Sequence, residues 1–274
     1  MLRKLFLTLF SFLSALLIFG QCATVIPNEF LEYRIENNNQ QKELVSYNLN
    51  KTLSVKVYRV ASSLDVYDIA IGDYGPVWDE LNEVFDKIGL QFDLCIEEDI
   101  PNYNYNILDL KVDTATGLNK YDEMVALHYT PNVINVYYVE EIKNFPDGGN
   151  PSGFAFMPGG ADVIVLTKGS GPTTAIHEMG HFLGLFHTFE TGNELVDGSN
   201  CETAGDMICD TPADIDGNTT NCQYNDQQKD ANGDYYTPYL SNYMSYYGSC
   251  TCRFTNGQYN MMAMVFLEQR NYLW

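Results

Sequence analysis

Three of the chain's four histidines fall within residues 177–187, which read HEMGHFLGLFH. On a helix, side chains four residues apart project from one face, so the imidazoles of His177 and His181 can bind one ion. Gly184 can take a positive φ, which lets the helix end and brings His187 back as a third ligand. Three neutral nitrogen donors with an open fourth position are typical of a catalytic zinc site.

Glu178 follows the first histidine and lies about a quarter turn away around the same helix. From there its carboxylate can accept a proton from a water at the metal without binding the metal itself. The alternative interpretation is an amphipathic helix with ordinary histidines and a solvated Glu178, but Gly184 and His187 at fixed offsets argue against it. His128, the fourth histidine, has no partner motif and is interpreted as an ordinary strand or loop residue.

A sheet and a set of helices must hold these side chains in place. Apolar residues at helical spacing predict helices over 76–88, 173–186 and 255–267, the second of which Gly184 ends. Alternating or branched apolar residues predict strands over 53–60, 90–96, 133–139 and 161–166. Beyond the second helix the sequence loses regularity. The pattern therefore predicts an α/β first part and an irregular second part.

The net charge of the chain limits the kinds of molecule that it can bind. The chain has 36 acidic and 15 basic residues, and its net charge of −21 repels phosphate backbones. Nucleic acid is therefore excluded as a partner. Between Glu190 and Asp234 there are 11 acidic residues and one basic residue, Lys229. A block of this kind either stays solvated or binds cations such as calcium.

The first residues predict export. Arg3 and Lys4 precede an uncharged apolar run over residues 5–18, which is the layout of a signal peptide, here residues 1–21. The run is short for a transmembrane anchor, and no second apolar stretch of that length follows, so we expect no anchor after cleavage. The alternative to a secreted protein is a cell-surface lipoprotein with a lipid anchor at Cys22, although Gln21 is bulky for such processing.

The remaining sequence predicts one folded domain. Residues 22–50 are polar and are interpreted as a linker or short pro-segment with too little apolar content to pack. Residues 51–274 are interpreted as one folded domain, which the end of the helix with the histidines divides into two parts, 51–184 and 185–274, called the upper and the lower subdomain below.

The cysteines predict disulfides in the lower subdomain, as expected of an exported protein. Five of the seven lie in the last third of the chain, at Cys201, Cys209, Cys222, Cys250 and Cys252. Because that count is odd, one of them pairs with Cys95, remains free or bridges elsewhere. A cysteine-ligated zinc is the weaker alternative, since two CxxC pairs are lacking.

The segment over 177–187 resembles the signature HExxHxxGxxH of the metzincin metallopeptidases at every specified position. Residues 242–246, NYMSY, resemble the Met-turn of those enzymes, with Met244 packed beneath the metal. Residues 205–212, GDMICDTP, and the positions Cys250, Phe254-Thr255 and Gly257-Gln258 are similar to the pappalysin family, including its ulilysin-like and cytophagalysin-like members. The resemblance covers residues 150–262.

This resemblance implies that residues 51–274 are the catalytic domain and that it has a zincin-like fold. The upper subdomain, 51–184, is then a twisted mixed sheet with the active-site helix, and the lower subdomain, 185–274, is an irregular, disulfide-stapled part with one helix. The resemblance implies zinc bound by His177, His181 and His187, catalysis by Glu178 with help from Tyr246, and protein or peptide substrates. The resemblance also implies calcium near the site, with Asp206 and Asp210 as candidate donors.

Two further expectations concern the substrate and the competing function. A peptide substrate is expected to lie extended along an edge strand at 161–166, bonded through its main chain. The alternative to an endopeptidase is a catalytically inactive binding protein of the same fold at the cell surface. That alternative predicts the loss of a metal ligand or of the general base, and both are present.

Overall fold

A computed structural model describes residues 26–37, 47–69, 71–145, 149–215, 222–224, 227–247 and 250–274. The predicted signal peptide at 1–21 and the candidate lipid anchor at Cys22 lie outside these residues. Within the described ranges, no helix combines the length and the apolar character that crossing a bilayer requires.

Five strands form the main sheet: β1 (Lys51–Val60), β2 (Leu90–Ile100), β4 (Ile134–Val139), β6 (Gly153–Ala155) and β7 (Val163–Thr167). Their order is β2-β1-β4-β7-β6. The strands run parallel except for β6, which pairs antiparallel with β7. Two short strands, β3 (Ile107–Asp109) and β5 (Glu141–Lys143), form a second, parallel sheet. All four strands predicted from the sequence are thus confirmed, with shifts of a few residues at their ends.

The order of strands corrects one prediction. The strand predicted at 161–166 is β7, which is paired on both sides and therefore cannot bind a substrate by its edge. The edge on that side belongs to β6, which is only three residues long. A three-residue segment that contains glycine gives little alternation of apolar residues, so the sequence pattern did not reveal it.

Five helices pack around the sheet: α1 (Asn28–Asn37), α2 (Ile71–Phe85), α3 (Lys120–His128), α4 (Pro172–Phe182) and α5 (Asn256–Gln269). The predicted helices correspond to α2, α4 and α5. The start predicted for α2 was wrong, because Pro76 lies inside the helix rather than at its first position. The sequence analysis missed α3, although Asn119 and Asp122 form a capping box at its start.

Two hydrophobic layers flank the sheet. The larger layer packs apolar side chains of α2, α4 and α5 against one face, with Trp78, Met179 and Phe266 fully or almost fully buried. The smaller layer lies on the other face and includes Met124 of α3 and Phe154 of β6. Helix α4 packs against α2 and against strands β6 and β7, within the larger buried layer.

The N-terminal segment corrects a second prediction. Residues 22–50 were interpreted as too polar to pack, yet residues 28–37 form α1, and Phe30 and Arg34 of this helix are buried. Apolar contacts from Ile26 and Leu31 also reach the larger layer. The prediction failed because it was based on the number of apolar residues, and an arginine does not add to that number. Arg34 can nevertheless be buried, since its guanidinium donates hydrogen bonds to two backbone carbonyls.

The lower part of the chain is stapled as predicted. Disulfides join Cys201 to Cys209 and Cys222 to Cys250. Of the alternatives for the odd cysteine, the structure supports the free thiol: among the described residues Cys252 and Cys95 have no disulfide and are exposed. Between α4 and α5 the described chain contains turns and isolated bridges in place of regular strands. The architecture is thus the mixed α/β, zincin-like fold that the resemblance implied.

Candidate active site

Helix α4 carries the first two histidines. It begins at Pro172, whose fixed φ suits the first turn, after Gly171 as the N-cap residue. It ends at Phe182, and Gly184 follows with φ of +87°, a left-handed conformation that reverses the chain toward His187. A β-carbon at Gly184 would also lie 2.7 Å from Cζ of Phe30, so both space and conformation require glycine.

The three predicted histidines meet at one point. The Nε2 atom of His181 lies 3.0 Å from Nε2 of His177 and 3.0 Å from Nε2 of His187. All three side chains are buried, and their candidate ligand atoms lie within 4.8 Å of one another. Among the described residues this is the one group of three or more potential ligands that could hold a metal ion.

The opposite ring nitrogens fix the tautomers. Nδ1 of His177 lies 2.6 Å from the carbonyl oxygen of Tyr243, and Nδ1 of His181 lies 2.8 Å from that of Leu185. Because a carbonyl only accepts hydrogen bonds, each Nδ1 must carry the proton. Nδ1 of His187 lies 2.6 Å from a carboxylate oxygen of Glu190, which requires the same tautomer.

Each Nε2 therefore points a lone pair at the other two. Three acceptors this close repel one another unless a cation lies between them, and neutral imidazole is the form that binds zinc. Burial and the neighbouring His187 lower the pKa of His177 to about 3, and the pKa of His181 is lowered in the same direction. The donor set thus fits a metal ion such as zinc.

Residues 242–246 form the turn beneath the histidines. Met244 is fully buried, and its backbone N–H donates to Oδ1 of Asn242. The backbone carbonyl of Met244 accepts from the N–H of Thr188, while the carbonyl of Tyr243 accepts from His177. The turn therefore fixes the first and third histidines from below, as the Met-turn resemblance implied.

Tyr246 reaches the centre of the site. Its hydroxyl oxygen lies 3.0 Å from Nε2 of His187, the nitrogen that faces the other histidines. The rings of the two residues are 4.8 Å apart, and Phe189 packs against both. The structure therefore brings Tyr246 to the candidate metal position.

Glu178 is buried next to the histidines, with 2% of its surface exposed. Its Cγ atom lies against Gly153 of β6, where an added β-carbon would be 3.1 Å away. The edge strand β6 and the general-base candidate are thus neighbours. Sequence reasoning missed Gly153, because a lone glycine upstream of the motif carries no pattern.

Glu190 is a further residue that sequence reasoning missed as a site residue. Its carboxylate contacts Nδ1 of His187. The Nδ1 atoms of His177 and His181 contact backbone carbonyls, so Glu190 is the one charged partner among these three contacts. Its spacing, three residues after His187, is a signal that could have revealed it, because residues at that spacing in a turn lie close together.

The acidic residues predicted as calcium donors have different environments. Asp210 accepts hydrogen bonds from Oγ1 of Thr255 and from the N–H of Gly257, so it caps the start of α5, and its binding of calcium stays a prediction. Asp206 is buried and accepts from the Ile208 N–H and from two side chains.

Glu194 lies near Asp206 and is a better candidate for a cation ligand. Only 2% of its surface is exposed, and its Oε2 atom has no hydrogen-bond partner among the described residues. Burial, with the nearby charges of Asp206 and Asp214, raises the pKa of Glu194 to about 9. The unsatisfied oxygen of this buried carboxyl suits a hard cation, although Glu194, Asp206 and Asp214 do not converge on one point as the three histidines do.

Comparisons with known proteins agree with this geometry. The family described as "Pregnancy-associated plasma protein-A" matches residues 119–267. An extracellular metalloprotease of Arthroderma benhamiae is 28% identical over 260 residues, covering 88% of each chain. A second, from Arthroderma otae, is 30% identical over 201 residues, covering 68% of this chain and 67% of its own.

A solved structure is similar in fold. Mature mirolysin of Tannerella forsythia, in complex with a cleaved peptide, superimposes with a TM-score of 0.53 at 19% identity, covering 81% of this chain and 92% of that one. The similarity in fold, the family match over residues 119–267 and the three-histidine site agree with one another. The chain belongs to the pappalysin family of metzincins and is a zinc metalloendopeptidase.

Proposed function

We propose that the chain is a secreted endopeptidase in which His177, His181 and His187 bind zinc and Glu178 is the general base. The observation that carries this proposal is the convergence of three Nε2 lone pairs beside a buried carboxylate. The family match supports the same chemistry. A binding protein has no need for a buried general base next to an open metal position.

The proposed mechanism assigns a role to each side chain. Zinc held by the three imidazoles would polarise the scissile carbonyl and lower the pKa of water at the site. Glu178 accepts the proton of the attacking water and passes it to the leaving amine. The Tyr246 hydroxyl, which lies beside Nε2 of His187, donates a hydrogen bond to the oxyanion as it forms.

The substrate is proposed to lie along β6. This strand is the edge of the main sheet on the side of the site, and Gly153 within it contacts Glu178. A peptide bonded to the β6 main chain would bring its scissile bond past Glu178. Recognition through the main chain accepts many sequences, so we propose protein and peptide substrates as a class.

The proposed location is outside the cell. Relatives named extracellular metalloproteases support it, as does the leader pattern at residues 1–21. We keep the division into a subdomain at 51–184 and one at 185–274 as part of the proposal. We add α1 to the catalytic unit, because Phe30 and Arg34 pack into its core.

We also propose that calcium binds at Glu194. The buried, unsatisfied carboxylate oxygen supports this site, together with the two acidic neighbours that raise its pKa. A calcium ion bound to Glu194 would stabilise its ionised form, and its charge would also favour the ionised forms of Asp206 and Asp214 nearby. The site lies in the disulfide-stapled lower part, between the third histidine and the Met-turn.

The experiment that tests the function is casein cleavage by the purified, zinc-loaded protein, with and without a chelator. We expect cleavage that the chelator abolishes and that added zinc restores. Glu178→Ala is expected to lower the rate by about 10² to 10⁴, the factor that general acid–base catalysis typically contributes.

The controls separate the function from the mechanism. Glu202→Ala, an acidic residue outside the three-histidine group, is expected to cleave as the wild type does. A wild type that binds zinc but cleaves neither casein nor gelatin would support the inactive binding protein. Cleavage retained by Glu178→Ala would contradict the assignment of the general base even if the protein is a peptidase.

A further inference from the structure

Arg34 is a fully buried cation that α1 inserts next to the active-site helix. Its guanidinium donates to the carbonyl of Gly184 at 2.6 Å and to the carbonyl of Asp206 at 2.8 Å. The ring of Phe186 lies 4.4 Å below the guanidinium carbon. These contacts join a helix near the start of the sequence to residues on both sides of the third histidine.

The bond to Gly184 acts on the connection between the histidines. Gly184 follows the end of α4, and the next residue, Leu185, supplies the carbonyl that accepts from His181. Any rotation of the peptide at Gly184 therefore changes the direction in which the chain continues to His187. Phe30, also on α1, fills the space beside Gly184 and blocks such a movement sterically.

The electrostatics favour an arginine at this place. The carboxyl end of α4 carries partial negative charge, and Gly184 lies two residues beyond it, so a cation beside Gly184 is stabilised. The guanidinium bonds the two carbonyls from two different nitrogens, whereas the shorter lysine side chain has one nitrogen. Asp206 adds a nearby negative charge to the same surroundings.

Arg270, far along the chain from Arg34, also bonds to the end of α4. Its Nε donates to the carbonyl of Phe182, the last residue of α4, and its terminal nitrogen pairs with Asp162. The carboxyl end of α4 is thus held by two buried arginines, and only Arg34 contacts the turn itself.

We propose that Arg34 is a positioning residue for the metal site: it fixes the Gly184 turn and so the approach of His187 to the metal. This inference rests on the proposed zinc site. If Arg34 has this role, α1 contributes to the metal site and belongs to the catalytic unit rather than to a leader that precedes it.

The first test is the dissociation constant for zinc, measured by competition with a chromophoric chelator on the full chain. Arg34→Lys keeps the positive charge but can reach only one of the two carbonyls, and we expect its zinc affinity to fall at least about tenfold. The matched control is Tyr33→Phe, which removes the hydrogen bond from α1 to Glu268 and leaves the Gly184 turn untouched.

The outcomes separate positioning from general stability. The proposal predicts weaker zinc binding and a lower kcat for Arg34→Lys, with zinc binding of Tyr33→Phe within about twofold of wild type. If Arg34→Lys lowers Tm but binds zinc as wild type does, the proposal is wrong. If the wild type itself binds no zinc, the proposed function fails first.

A second measurement needs no variant and decides the question if Arg34→Lys does not fold. Coupling between two sites is reciprocal, so zinc binding should slow amide hydrogen exchange in residues 31–37 of the wild type. We expect a several-fold slowing there, together with slowing in α4. Slowing in α4 with no change in residues 31–37 would overturn the proposal.

Discussion

The sulfur atom of Met244 fills the space in which a β-carbon on Gly180 would lie, with 2.6 Å between the two positions. Gly180 stands between the first two histidines on α4, and Met244 is fully buried beneath it. Because Gly180 has no side chain, the turn can approach α4 more closely than it could if any other residue stood there. Through this contact, and through the carbonyl of Tyr243 that accepts a hydrogen bond from Nδ1 of His177, the turn fixes the position of the His177 ring.

The close approach predicts the effect of Gly180→Ala. An alanine in a helix is worth about 1 kcal/mol over glycine, but overpacking a core costs about 1–3 kcal/mol, so we expect a net loss of stability. Thermal and urea unfolding measure it. In a Met244→Ala background the clash is absent, and the same substitution should be neutral or stabilising. Equal effects in both backgrounds would contradict the explanation.

The contact between β6 and Glu178 predicts the effect of Gly153→Ala. The added methyl would lie 3.0 Å from Cδ2 of Leu166 and from the carbonyl oxygen of Val165, both on β7, and 3.1 Å from Cγ of Glu178. It would shift β6 against β7 and displace the carboxylate, so we expect kcat to fall about tenfold or more with zinc affinity unchanged. The control is Gly169→Ala, where no atom lies within 4 Å of the added carbon. A fall in zinc affinity for Gly153→Ala would indicate that β6 acts on the histidines instead.

Tyr246 is expected to contribute to the rate more than to binding. Removing a single oxyanion donor lowers kcat by about 10²–10³ in well-studied hydrolases, and we expect a fall toward that range for Tyr246→Phe with little change in KM. Steady-state kinetics on a fluorogenic peptide measure both constants. Tyr235→Phe, which alters an exposed tyrosine, is the control. A change confined to KM would assign Tyr246 to substrate binding.

Glu190 is expected to strengthen metal binding through His187. Partners of metal-ligating histidines are typically worth about 10- to 100-fold in affinity, so Glu190→Gln should weaken zinc binding by a factor in that range. The variant keeps an acceptor for Nδ1 and loses only the charge. Glu141→Gln on β5 is the control. Zinc affinity equal to wild type would show that the charge has no role.

The pKa of Glu194 predicts how stability depends on pH in the absence of calcium. Because its pKa is raised from 4.5 to about 9 in the folded protein, the folded state binds more protons than the unfolded state between these values. Stability should therefore fall as pH rises from about 5 to 9 in a chelator. Burial also raises the pKa of Asp206 to about 7, so Asp206 contributes to the fall below that pH. Added calcium or Glu194→Gln should therefore flatten the profile of Tm against pH between about 7 and 9. A slope that persists in this range in Glu194→Gln would assign it to another group.

Much of the site could be predicted because its signal is local. The spacing of His177, His181 and His187 is a property of one helix and one turn, and the structure brings these three side chains together. The substrate edge could not be predicted in the same way. Which strand is outermost depends on pairings between distant segments, and β6 is too short to show alternation.

The role of α1 could not be predicted either, because it depends on partners far along the chain. Arg34 is buried through carbonyls 150 and 172 residues away in sequence. No composition window around residue 34 contains that information. The same holds for Glu194, whose burial follows from the folding of the loops around it.

The two buried arginines near the end of α4 also link distant parts of the chain. Arg34 is synthesised long before α4 and bonds to Gly184 in the turn after the helix, whereas Arg270 is synthesised long after it and bonds to Phe182 at the helix end. A growing chain that has just made its histidines still lacks the second of these bonds. The end of α4 and the turn to His187 therefore gain their full set of hydrogen bonds only after the segment with Arg270 has been made and has folded onto the helix.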